Sequence, residues 1–120
     1  FIPLKMFIKT NNSKYIKKVM DALFSEYDDF ALKYMSFTFQ HCNMDFSPLP
    51  VISKDSAKSI KTPITIFACE NDLMFPGKKM IKRAQNIFSS LHKVLLLKGS
   101  KHVPNTENFK KIGEIILGDN

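Results

Sequence analysis

Two residues of this chain have the types and placement for proton-transfer chemistry: Asp72 in CENDLMFPGKK, residues 69–79, and His102 in KGSKHVPNTE, residues 98–107. A carboxylate beside an imidazole holds one ring nitrogen, fixes the tautomer and stabilises the ring once it is protonated. The other nitrogen is then left to exchange a proton with a substrate. To do this the pair must meet across thirty positions of sequence. Each loop follows a run that reads as a strand, ITIFAC at 64–69 and KVLLL at 93–97. Both residues therefore leave the carboxyl end of a strand, where open α/β sheets place ligands.

Other candidates fit less well. Glu70 is two residues from Asp72 and competes for the acid role; if Ile64, Ile66 and Ala68 share one side of the strand, Glu70 shares it too and rims the site. Ser100 is two residues before His102 and reads as a polar loop residue. His41, Cys42 and Asp45 are crowded together with no second ligand pair at metal spacing, so they read as a structural feature and no metal is expected. His92 opens a strand after a lysine-rich helix and reads as solvated. A glycine-rich phosphate cradle and a dinucleotide fingerprint are both missing from the sequence, so no cofactor is expected. Phe75 and Val103 flank the pair as candidate substrate-pocket residues. The Phe- and Met-rich stretch from Phe30 to Phe46 can cover them, an apolar setting that suits an acyl or alkyl substrate, although packing accounts for most of these side chains.

The chain changes character near residue 61. Before it the pattern is helical and irregular. Asn12 or Ser13 caps a helix through SKYIKKVMDALF, with Ile16, Met20, Leu23 and Phe24 on one face. A second helix over 27–40 carries Phe30, Tyr34 and Phe37 on one side and Met35 and Phe39 on another, which predicts that it is sandwiched or lines a cavity. Pro48 and Pro50 break HCNMDFSPLPVIS, and Ser53 caps a short helix, KDSAKSI, that stops ahead of Pro63. Beyond residue 61 come the strand 64–69, a helix over 77–89, the strand 93–97 and a last helix over about 106–117. Strand, helix and strand at these lengths form a β-α-β unit with parallel strands. Two such strands do not make a doubly covered sheet, and the continuous apolar character of both calls for burial between helical layers. Further strands are expected from residues missing here or from a companion chain.

These residues resemble the carboxyl-terminal part of the α/β-hydrolase family. KTPITIFACENDLMFP at 61–76, the helix GKKMIKRAQNIF, HKVLLLKGSKHVPNTE at 92–107 and the closing helix carry the resemblance. It implies a partial α/β-hydrolase fold: residues 1–60 as a helical cap segment, then residues 61–120 as the last β-α-β-α of the core. It makes Asp72 the triad acid and His102 the catalytic histidine of a serine hydrolase acting on carboxylic esters, lipid esters or thioesters. The family's nucleophile lies in a G-x-S-x-G elbow. This chain has no glycine before Gly77, so the nucleophile and oxyanion hole are expected from an amino-terminal part of the same protein or a companion chain. The alternative is a non-catalytic binding domain on the same scaffold.

Composition sets the outer limits. The 120 residues are 44% apolar and 24% charged, with eleven Phe and no Trp, which is the make-up of one globular domain rather than a disordered chain. Net charge is +7: residues 1–60 hold eight Lys against six acids, and residues 61–120 hold nine Lys and one Arg against five acids. A single Arg is a poor endowment for reading base edges, so the surplus reads as a lysine-rich surface and no nucleic-acid partner is expected. The expected partner is a small acyl or ester substrate, and a homo-oligomer is left open. Two cysteines, Cys42 and Cys69, form no disulfide framework, and no run approaches the length of a membrane span. A cytoplasmic protein is the expectation. The opening Phe1 leads to the further expectation of a fragment or a processed chain.

Overall fold

A computed structural model describes residues 1–118. Among them are six helices and a two-stranded parallel sheet, a mixed α/β arrangement in the order α1(Ile2–Thr10), α2(Ser13–Leu23), α3(Asp29–His41), α4(Lys54–Ser59), β1(Ile64–Cys69), α5(Gly77–Ile87), β2(Leu91–Leu97) and α6(Thr106–Gly118).

Helices α1 to α3 build a core of their own. Asn12 caps α2 by accepting the Lys14 N–H at 3.0 Å, and Asp28 caps α3 by accepting the Ala31 N–H at 2.7 Å, so side-chain oxygens satisfy backbone donors that the first helical turn leaves open. Ile16, Val19 and Met20 on α2 are buried against Leu4 and Phe7 of α1 and Phe39 of α3. Full burial of side chains this size contributes about 1.5–3 kcal/mol each relative to exposure. The Gln40 amide adds a tie by donating to the Phe7 carbonyl at 3.0 Å.

Two features of this layer depart from the sequence pattern. Helix α1 has no counterpart in it. Its nine residues are too few to be stable alone, and it is held by packing on α2 and by the left-handed Asn11 (φ 53°), whose N–H returns to the Phe7 carbonyl. Helix α3 is not sandwiched. Its Leu32, Met35 and Phe39 face the core, while Phe30, Tyr34 and Phe37 are 75, 60 and 65% exposed. The apolar residues form two stripes, and α1 and α2 cover only one of them. The outward stripe pairs its own rings, Phe30 with Tyr34 at 6.3 Å and Phe37 with His41 at 4.2 Å.

The sheet forms where β-branched and aromatic residues run together. Strands β1 and β2 are parallel, aligning Thr65 with Lys93 and Cys69 with Leu97. Their burial is uneven. Ala68, Cys69 and Leu97 at the carboxyl ends are buried, but much of each strand's remainder is half-covered, because a two-stranded sheet offers few neighbours. The chain's one Arg, Arg83 on α5, donates to the Ile52 carbonyl at 2.9 Å and so ties the irregular segment before α4 to the crossover helix. Among the described residues no helix is long and apolar enough to cross a membrane.

Gly77 sets how closely α5 approaches the sheet. A Cβ there would lie 2.5 Å from the Cys69 carbonyl oxygen and 2.9 Å from its carbon. Both are backbone atoms at the end of β1 and cannot swing aside as a side chain can. Gly77→Ala is therefore expected to destabilise the protein by about 1–3 kcal/mol. Urea denaturation checks this, and an unchanged midpoint would show that α5 does not bear on the strand end.

Candidate functional site

The site begins where β1 and β2 end together. The Glu70 N–H donates to the Leu97 carbonyl at 3.1 Å and the Asn71 N–H to the Ser100 carbonyl at 2.8 Å, which carries the ladder past the strands into both loops. The chain then turns at Asp72, which is only 8% exposed. One carboxylate oxygen, Oδ1, accepts the N–H groups of Met74 at 2.7 Å and Phe75 at 3.0 Å, an Asx-type turn that fixes the side chain's direction. The other oxygen, Oδ2, lies 2.9 Å from Nδ1 of His102.

The electrostatics follow from these contacts. Burial pushes the Asp72 carboxyl up, but the Phe75 N–H, the His102 ring and the Met74 N–H together outweigh it and hold the group below the usual carboxylate range. An ionised carboxylate has no proton to give, so His102 Nδ1 carries the hydrogen and donates it. Nε2 is then the nitrogen able to take a proton. The His102 side chain is 34% exposed, enough for a reacting group to reach it. The Phe75 ring lies 5.8 Å from the imidazole, centroid to centroid, and tilted by 35°.

Glu70 does something else. Its Oε2 accepts the Gly99 N–H at 3.1 Å and its Oε1 lies 3.7 Å from Lys78 Nζ. Gly99 has φ +69°, a conformation that glycine adopts without a Cβ penalty, so Glu70 braces the turn leading to His102. Ser100 is 1% exposed and its hydroxyl accepts from the Asn108 amide at 2.6 Å, which engages it structurally. The Asp45 carboxylate accepts the Ser47 N–H, Cys42 is an exposed free thiol, and His92 is exposed on β2. Among the described residues no group of three His, Cys, Asp or Glu is placed to hold a metal.

The two candidate pocket residues line separate concavities. Val103 borders an open groove of about 450 Å³ with Phe24, Tyr27 and Phe109, whereas Phe75 borders a smaller one of about 240 Å³ with Met80 and Arg83. A third, mostly apolar cleft of about 500 Å³ lies where Leu4, Leu23, Met44 and Phe46 face Leu73 and Met74, the residues that follow Asp72. Met44 and Phe46 thus reach the acid loop. The exposed stripe of Phe30, Tyr34 and Phe37 lines none of these three concavities.

One part of the site has no signal in the sequence. The chain just beyond α2 pairs with the histidine loop as a short parallel bridge: the Val103 N–H donates to the Leu23 carbonyl at 2.8 Å, and the Ser25 N–H donates to the Val103 carbonyl at 2.9 Å. The Ser25 hydroxyl accepts the Lys101 N–H at 2.9 Å, and Glu26 accepts both the N–H and the hydroxyl of Thr106. The Thr106 hydroxyl and N–H hold the Glu26 carboxyl below its usual range. No spacing rule reveals a bridge one residue long between segments about eighty positions apart. Comparison of the chain with family models, curated proteins and solved structures finds no match.

Proposed function

We propose that this chain is the carboxyl-terminal part of an α/β-hydrolase-type serine hydrolase acting on carboxylic esters, with lipid esters and thioesters in the same class. The observation that carries the reading is the 2.9 Å contact between Asp72 Oδ2 and His102 Nδ1 at the carboxyl ends of two adjacent parallel strands. In this reading a serine supplied from outside these residues attacks the acyl carbonyl, and His102 Nε2 takes the hydroxyl proton as the Oγ–C bond forms. The tetrahedral intermediate collapses, the bond to the leaving group breaks, and His102 returns its proton to that alkoxide or thiolate. Water then attacks the acyl-enzyme, His102 removes its proton and passes it to the serine, and the carboxylic acid departs. Asp72 stays ionised throughout and orients the ring.

A fluorophosphonate probe tests this, because it phosphonylates only a serine that a neighbouring base has activated. The full-length protein is expected to take the label at a serine outside residues 1–120. Labelling of Ser100 would overturn the account. A non-catalytic binding role is the second reading. It draws on the engagement of Ser100 by Asn108, which leaves the hydroxyl nearest His102 in sequence without a reactive role. A folded full-length protein that takes up no probe decides for binding.

A further inference from the structure

A histidine on a loop between strand and helix needs more than its acid to stay in place. The backbone on either side of His102 is tied to one residue. The Lys101 N–H, immediately before it, donates to the Ser25 hydroxyl at 2.9 Å; the Val103 carbonyl, immediately after it, accepts the Ser25 N–H at 2.9 Å. Ser25 thus straddles His102 from a segment 77 positions upstream. Its neighbours extend the grip. The Leu23 carbonyl takes the Val103 N–H, Glu26 takes the first N–H of α6, and the Lys101 ammonium reaches the Asp21 carbonyl.

From this geometry we infer that Ser25 is a positioning residue for His102, and that the segment 21–26, which reads in sequence as part of a separate helical layer, belongs functionally to the histidine loop. The inference rests on His102 acting as the base proposed above. The ring contacts of Asp72 and Phe75 restrain only the side chain. Ahead of the ring, Glu70 holds the Gly99 N–H and Asn71 donates to the Ser100 carbonyl, so the Ser25 hydroxyl on Lys101 is the tie next to His102 on that side. Ser25 restrains both sides of the ring, through its hydroxyl on the Lys101 N–H before it and through its own N–H on the Val103 carbonyl after it. Displacement of a catalytic group by about 1 Å costs up to about a hundredfold in rate, so loss of one of the three backbone ties that flank His102 is expected to cost about tenfold.

The test uses Ser25→Ala and Ser25→Thr in the full-length protein. Alanine keeps the backbone N–H that bonds to Val103 and deletes only the hydroxyl that accepts from Lys101. Threonine restores that oxygen. With histidines labelled by nitrogen-15 and the His102 ring identified by its loss in His102→Gln, long-range proton–nitrogen correlation reads the tautomer directly. Ser25→Ala is expected to move the ring from the Nδ1–H form toward a mixture, to lower kcat for ester hydrolysis about tenfold at unchanged KM, and to be rescued on both counts by Ser25→Thr. A folded Ser25→Ala with wild-type tautomer and kcat would overturn the inference. Absence of ester turnover in the wild-type protein would sink the hydrolase reading, while the tautomer measurement would still decide the positioning role. If Ser25→Ala does not fold, Ser25→Cys takes its place, keeping the backbone N–H and exchanging the hydroxyl for a weakly accepting sulfur: a shifted tautomer with lowered kcat supports the inference, and wild-type values for both overturn it.

Discussion

Replacing His102 by alanine is expected to lower ester turnover by the full-length protein by about three to four orders of magnitude, the scale on which loss of a proton-transferring base acts when the remaining machinery stays in place. The fold is expected to survive. The imidazole is only partly covered, and the ties that shape its loop come from its neighbours: Gly99 to Glu70, Lys101 to Ser25, and Val103 to Leu23 and Ser25. None of these uses the ring. Turnover of short- and long-chain nitrophenyl esters gives kcat/KM, and thermal unfolding of the same samples reports stability. Near-normal turnover by a folded His102→Ala protein would remove His102 from the mechanism.

The second large effect separates Asp72 from Glu70. Asp72→Asn keeps a carbonyl oxygen able to accept the Met74 and Phe75 N–H groups, so the turn retains its shape. It places an NH₂ where Oδ2 accepted from the imidazole, and the ring is driven to the wrong tautomer. A loss of about 10³–10⁴ in turnover is expected. Glu70→Gln keeps an oxygen for the Gly99 N–H and gives up only an exposed pairing with Lys78, so its effect is expected to stay within about threefold, since such surface pairs are weak. A larger loss at Glu70 than at Asp72 would exchange the assignments. The stability of the two proteins adds a pH signature. Because the Asp72 carboxyl is held below its ordinary value in the fold, its ionised form contributes stability in full above the unfolded carboxylate range near about pH 4. That contribution is lost as pH falls through the lower folded value. The wild-type margin over Asp72→Asn in urea is therefore expected at neutral pH and to shrink on acidification below about pH 4.

How much of this was legible in the sequence depends on the range of the forces involved. The strand over Ile64–Cys69 and the cap at Ser53 rest on contacts within a few residues, and the structure places them where the pattern does; of the two cap candidates for α2, Asn12 is the cap and Ser13 the first helical residue. The β-α-β order also follows from local pattern, and β1 and β2 pair in parallel as a crossover helix requires. Strand β2 starts at Leu91, two residues before the apolar run, because the Ser90 carbonyl and Leu91 already pair with Ile64. Helix α1 was not legible, since its nine residues owe their helicity to a neighbour that no window over positions 1–10 contains.

Residue type and strand-end placement determined which groups could do chemistry: Asp72, Glu70 and His102 were all in view from the sequence, at the mouths of two strands. What they do there was decided only in three dimensions. The Asn71–Ser100 backbone bond and the turn closed by Met74 and Phe75 aim Asp72 at Nδ1 of His102, while Glu70, two residues earlier, meets Gly99 instead. Strand alternation treats Glu70 and Asp72 alike, but alternation ends with the strand. Beyond Cys69 direction is set by hydrogen bonds to another loop. The same holds for α3, whose two apolar stripes are equivalent in sequence until α1 and α2 cover Phe39 and leave Phe37 outside, and for Ser25, whose hold on both sides of His102 joins segments with no shared periodicity. Pattern specifies contacts whose partners lie within a turn or a strand; contacts made by single residues between distant segments depend on chain packing, and that information resides in the fold as a whole.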